Sequence, residues 1–83
     1  MELRQLVSVI CVRVKSIAED KGTSIGSVGA DTILLGGIGL DSLDLAVIVV
    51  ELQEITGKDP FQEGFIEFRT VHELAVLFSN HDR

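Results

Sequence analysis

The segment Gly36-Gly37-Ile38-Gly39-Leu40-Asp41-Ser42-Leu43-Asp44 holds the residues best suited to chemistry. Asp41 is a good helix N-cap, and Asp44, three residues on, suits the positive end of a helix. With Asp41 as the cap, Ser42 sits in the first turn with its hydroxyl free. A group esterified there would lie against unpaired backbone N–H groups and the positive dipole end, where a phosphate is favoured. The glycines before it let the loop turn away and leave room for an approaching enzyme. Taken alone, Asp41-Ser42 also has a plainer reading, because serine and aspartate are the commonest cap residues.

Other reactive side chains offer less. Cys11 lies in the middle of the first helical segment, beside its apolar stripe, with no histidine nearby, and reads as a small buried hydrophobe. His72 falls in the first turn of the last helical segment and His81 in the tail. Both read as solvated, and no metal site is expected. A single cysteine excludes an internal disulfide and a cysteine zinc site. With two histidines and no Trp or Tyr, little is left for a self-contained catalytic centre, so a non-catalytic protein is expected.

The elements that must position Ser42 follow from apolar spacing. Leu3, Leu6, Val7, Ile10, Val14 and Ile17 form one helical stripe, which predicts a helix over about residues 2–19. A strand fails there, because alternate positions meet Ser8, Arg13 and Lys15. Lys21 to Leu40 is broken by Gly22, Gly26, Gly29, Gly36, Gly37 and Gly39. Its apolar residues, among them Ile33, Leu34, Leu35, Ile38 and Leu40, predict a long loop packed down on the core. Asp31-Thr32 suggests a short helical turn within it. The next helix opens at Asp41-Ser42 and runs to about Thr56, where Gly57 supplies a left-handed stop. Asp59-Pro60 predicts a short helix to Ile66, with Phe61 and Phe65 one turn apart. Thr70-Val71-His72-Glu73 has the form of a capping box, and Val71, Leu74, Ala75 and Phe78 stripe a last helix ending near Ser79. The pattern is an all-α, small four-helix bundle with a long loop between its first and second helices. One domain is expected over 1–83, with an ordered core at about 2–79 and a polar tail at 80–83.

Charge narrows the partners. The formal net charge is −6 over 83 residues, 46% of them hydrophobic. Residues 31–67 hold eight acids against Lys58 alone, so the acidity belongs to the middle of the chain. Such a surface repels nucleic acid and anionic membrane and suits partners with basic patches. The longest apolar run, Leu45 to Val50, is far too short to span a bilayer. No signal peptide is read at the N-terminus, and a cytoplasmic monomer is expected.

With helix order, length and acidity in view, Gly39-Leu40-Asp41-Ser42-Leu43-Asp44 resembles the Gly-x-Asp-Ser-Leu-Asp motif of the acyl carrier protein family. The resemblance extends over nearly the whole chain. It takes in the distance from the first helix to the serine, the glycine-rich loop, the acidic second helix and the run Phe68-Arg69-Thr70-Val71-His72-Glu73-Leu74. It implies that Ser42 carries 4′-phosphopantetheine, whose thiol holds an acyl cargo as a thioester. Asp41 would be recognised by the phosphopantetheinyl transferase that loads the arm. Asp44 also matches the motif, and Leu43 matches the family leucine that meets partner enzymes.

The second helix departs from that pattern. Familiar fatty-acid carriers have a glutamate five residues after the serine, where this chain has Val47, and Leu45 to Val50 carries no charge. Leu45, Ile48, Val49, Leu52 and Thr56 share one face, assigned to the core. Leu43, Ala46, Val47 and Val50 share the opposite face, with Asp44 and Glu51 between. A helix apolar on two faces in so small a chain leaves a patch for something else, either a partner or covering by the loop or a second copy. Partner recognition is therefore assigned to Asp41, Leu43, Asp44, Ala46, Val47, Val50, Glu51 and Glu54. Phe61 and Phe65, and Leu35, Ile38 and Leu40, read first as core and second as lining for an acyl chain. The expected protein presents an acyl thioester to synthases or ligases of fatty-acid, polyketide or other specialised biosynthesis. The alternatives are an aminoacyl or aryl carrier of the nonribosomal type, and a helical interaction subunit that bears no arm.

Overall fold

The computed structural model describes residues 1–22, 26–35 and 39–80. Its helices among these are α1 (Leu3–Asp20), α2 (Ser42–Thr56) and α3 (Val71–Asn80). Each begins where local chemistry satisfies its first N–H groups. The Glu2 N–H donates to Gln5 Oε1 at the start of α1 (3.0 Å). At the start of α2, Asp41 Oδ1 accepts from the Asp44 N–H at 2.9 Å, and Asp44 Oδ2 accepts from the Asp41 N–H at 3.1 Å. The Thr70–Glu73 capping box opens α3, with Thr70 Oγ1 accepting from the Glu73 N–H and Glu73 Oε1 accepting from the Thr70 and Arg69 N–H groups. Gly57 ends α2 at φ 72°, and its N–H donates to the Gln53 carbonyl.

The apolar stripes meet in one core. α1 contributes Leu6, Ile10, Val14 and Ala18, and α2 contributes Leu45, Ile48 and Leu52. Val71, Leu74, Ala75 and Phe78 come from α3, and Leu34 and Leu40 from the connection between α1 and α2. Burying each of the larger side chains contributes roughly 1.5–3 kcal/mol. α1 packs more extensively on α3 than on α2. Among the described residues no helix is long and apolar enough to cross a membrane.

Two expectations are corrected. The short helix from Pro60 to Ile66 is absent, so the described residues form three helices rather than four. The segment curls in turns instead: the Gln62 N–H donates to the Asp59 carbonyl and the Gly64 N–H to the Phe61 carbonyl. Gly64 then takes φ 137°, which breaks any helical continuation. The second correction concerns residues 29–35. Thr32 closes a turn onto Gly29 instead of opening a helical one. From there the chain is extended, with Ile33 bridged to Thr70 and Leu35 to Leu40. Extended backbone alternates its side chains, so Leu34 is buried while Ile33 and Leu35 are half exposed. This stretch docks on α3 through the backbone. The Leu34 N–H donates to the Arg69 carbonyl, and the Val71 and His72 N–H groups donate to the Thr32 and Ala30 carbonyls. α3 ends at Asn80, one residue beyond expectation. The expectations on Ile38, His81 and the last three residues of the tail lie outside the described residues.

Candidate functional site

Asp41 holds its place as N-cap of α2, which leaves Ser42 as the first helical residue, exposed to solvent. Among the described residues no protein group bonds its hydroxyl, and the Ser42 and Leu43 N–H groups have no protein acceptor. Gly39, at φ 84°, brings the chain up to the cap in a conformation that favours glycine. A free hydroxyl, two open N–H donors and the positive end of a fifteen-residue helix suit a phosphate ester.

Lys21, just past the end of α1, ties this helix start to the rest of the molecule. Its ammonium donates to Asp44 Oδ2 at 2.6 Å and to the Gly39 carbonyl at 3.2 Å, and lies 3.8 Å from Asp41 Oδ2. The hydrogen bond from Lys21, then the one from the Asp41 N–H, hold the Asp44 carboxyl below its usual range. The same contact with Asp44 raises Lys21 above its ordinary value. Farther along α2, Arg13 grips Glu51 with two bonds, Nε–Oε1 at 2.6 Å and Nη2–Oε2 at 2.9 Å. Two acids named for partner recognition, Asp44 and Glu51, are thus engaged within the chain, by Lys21 at the C-cap of α1 and by Arg13 on α1. Asp41 and Glu54 face solvent. Lys21 and Arg13 carried no local signal in the sequence, since both contacts join residues remote along the chain.

The apolar residues of α2 divide as its periodicity requires. Leu45, Ile48 and Leu52 are buried, and Val49 and Thr56 are partly so. On the other side Leu43 is 72% exposed, Val47 44% and Val50 50%, with Ala46 also exposed. Ala46, Val47, Val50 and Glu51 line a shallow depression there of about 260 Å³.

Ser42 also borders a deeper apolar groove of about 370 Å³. α2 supplies one wall through Ala46, Val49 and Val50; Leu35 and the rings of Phe61, Phe65 and Phe68 complete it. Leu35 is bridged to Leu40, beside the cap, and so marks the Ser42 end. Asp59 Oδ1 accepts from both Gln53 Nε2 and the Phe61 N–H, which anchors the aromatic turn near the other end of α2. Phe61, expected first as core, thus contributes both to the core boundary and to the groove. Phe68 gave no sign of this place in the sequence, because only the turn at 59–64 brings it to the groove; Gln53 follows Ala46, Val49 and Val50 along the same face of α2. Cys11 is half-buried against the core, and burial pushes its thiol up. His72 is exposed in the first turn of α3.

No curated protein and no solved structure matches the chain. The family model of the phosphopantetheine attachment site matches residues 12–77, a span that takes in the second half of α1, the whole connection to α2, Ser42, all of α2 and most of α3. A solvent-facing serine at a capped helix start fits that family's chemistry, and the chain belongs to the phosphopantetheine attachment site family, whose members carry a covalently attached 4′-phosphopantetheine.

Proposed function

We propose that the protein is an acyl carrier whose arm is attached at Ser42. The observation that carries this reading is the apolar groove bordered by Ser42 itself. A hydrocarbon cargo returned to the protein surface finds an apolar lining within reach of its attachment point. A charged aminoacyl cargo would lose hydration there without a countercharge, which disfavours the aminoacyl alternative. An interaction subunit without an arm would have no use for an open hydroxyl in this setting.

The prosthetic group supplies a flexible tether ending in a thiol that holds cargo as a thioester. The chain's own part is to offer and orient. In loading, the Ser42 Oγ–phosphorus bond forms as the bond to the adenosine bisphosphate part of coenzyme A breaks, and the serine proton passes to the transferase. The Ser42 and Leu43 N–H groups, open among the described residues, would supply donors to a phosphodiester on Ser42. Asp41 keeps the helix capped and stays exposed to a basic transferase. The carrier catalyses nothing itself. Its tether raises the effective concentration of cargo at each partner's active site, and acidic residues speed encounter with basic partners.

Leu43, Ala46, Val47 and Val50, with Asp41, Asp44, Glu51 and Glu54 around them, form the surface offered to acyl synthases or ligases. The apolar share of this surface fits a dedicated carrier of a specialised biosynthetic system. Residues 1–83 are read as one carrier domain, supported by the single core that all three helices share.

The test is direct. Apo protein incubated with coenzyme A and a broad-specificity phosphopantetheinyl transferase should gain the mass of one phosphopantetheine, and Ser42→Ala should gain none. The variant should melt close to wild type, because Asp41 still caps α2. Loading of Ser42→Ala would overturn the site, and no loading of wild type would overturn the carrier.

A further inference from the structure

Phe65 is an anomaly in the wall of the groove. It is 77% exposed, the most exposed large apolar side chain in the described chain, yet its ring lines the groove. The ring lies stacked on Phe61 at a centroid distance of 5.6 Å and an interplanar angle of 14°, and 6.0 Å from Phe68. No backbone hydrogen bond of Phe65 or Ile66 ties this stretch down among the described residues. Gly64, immediately before it, sits at φ 137° with nothing within 4 Å of where a Cβ would stand. The ring therefore rests against Phe61 and Phe68, next to a residue with wide backbone freedom.

The groove is also selective by omission. Its lining holds no charged side chain; the polar ones are Ser42, at one end, and Gln53, a neutral amide that Asp59 holds through one N–H. From Ser42 to Gln53 the helix advances roughly 16 Å. Cargo lying along it meets aliphatic side chains and then three aromatic rings.

We propose that Phe65 is a specificity-determining residue: it is the movable end wall of the Ser42 groove, and it folds over cargo of one chemical class, apolar acyl chains that carry no charged group. This rests on the carrier reading of Ser42. An aliphatic or aryl tail gains contact with the Phe61, Phe65 and Phe68 rings. A tail with an ammonium group loses its water without finding a countercharge, since the lining holds no acid.

The chain contains no Trp and no Tyr, so Phe65→Trp gives a single emitter at the wall. The variant is loaded from acetyl-, decanoyl- and aminobutyryl-coenzyme A by a broad-specificity transferase, with intact mass confirming each product. The decanoyl form should emit to the blue of the acetyl form and be quenched by iodide about twofold less, as expected for a ring covered by cargo. The aminobutyryl form should match the acetyl form. In parallel, decanoyl loading should raise the melting temperature of wild type above that of its acetyl form, and Phe65→Ala should lose at least half of that rise. Added mass with identical emission and quenching in all three forms overturns the wall alone, as does an undiminished rise in Phe65→Ala. No added mass on any form overturns the Ser42 reading and the wall with it.

Discussion

At Lys21 one ammonium serves three oxygens, of Asp44, Asp41 and the Gly39 carbonyl, and so couples the end of α1 to the start of α2. The coupling is visible in both partners' protonation. Asp44 is held below its ordinary 3.8, chiefly by Lys21, so its contribution to stability is present above that value and is lost as pH falls through the depressed one. Lys21 is raised above its ordinary 10.5, so its contribution is present below 10.5 and is lost as pH rises through the raised value. Lys21→Met should therefore flatten both limbs of the stability–pH curve while changing the plateau between them little, since exposed pairs contribute little net. The acid limb should shrink without vanishing. Glu73 is also held low, by the Arg69 and Thr70 N–H groups, and its contribution disappears in the same acid window whatever stands at residue 21. Melting temperatures across the pH range check this, and an unchanged basic limb in Lys21→Met would contradict it. Two acids beside the serine, Asp41 and Asp44, were plain in the sequence. Their common partner was not, because a lysine at a helix end gives no sign of which remote carboxylate it will reach.

At the scale of the element, α2 presents two apolar faces, and the structure assigns them different environments. Val47 is 44% exposed and lies on the face away from Leu45, Ile48 and Leu52. Val47→Glu should therefore fold normally. Surface substitutions stay within roughly ±0.5 kcal/mol, and glutamate is the better helix former. The charge should matter only when a partner covers this face, where it must be desolvated. Losing the apolar contact of one partly exposed valine and adding that cost should lower kcat/KM with the carrier's own synthase or ligase by about tenfold, or roughly 1.4 kcal/mol. Loading at Ser42 should be unaffected. Melting curves, loading assays and partner kinetics on one variant separate these outcomes, and a large fall in melting temperature would return Val47 to the core. α2 was legible because its stripe, its Asp41 cap and its Gly57 stop are all local. The stretch after it was not. Asp59-Pro60 signals a start equally well for a helix or a turn, and Gly64 together with the mutual packing of Phe61, Phe65 and Phe68 decides for the turn. The groove shared this fate, since its aromatic end exists only once that turn has formed. The docking of residues 30–34 on α3 runs through backbone groups, which every sequence offers alike.

For the whole molecule the governing quantity is uneven charge. Residues 1–30 carry a slight positive excess, whereas residues 31–67 hold eight acids against Lys58 alone. The fold exploits this by laying α1 across the acidic part, where Arg13 takes Glu51 and Lys21 takes Asp44. Asp31, Glu54, Glu63 and Glu67 nonetheless remain on the exposed surface. The molecule measures 38 × 23 × 19 Å, so charges on opposite sides stand roughly two to four Debye lengths apart at 0.1 M salt and about one or less at 0.01 M. Added salt then has two opposed effects. It weakens the attraction in the Arg13–Glu51 and Lys21–Asp44 pairs, and it weakens the repulsion summed over the acidic surface. The pairs are short-range and partly shielded from solvent, so they are screened less than the long-range repulsion is. Repulsion should dominate, and raising sodium chloride from about 0.01 to 0.3 M should raise the melting temperature. A gain near 1 kcal/mol corresponds to about 4–8 °C for a domain of this size. Millimolar magnesium or calcium should produce a similar rise by accumulating near the acids. In Arg13→Met the same screening should yield a larger rise, because the attractive contribution that salt weakens has been removed while net negative charge has increased. A fall in melting temperature with salt would show that the two α1 pairs, and not the acidic surface, set the electrostatic balance of the fold.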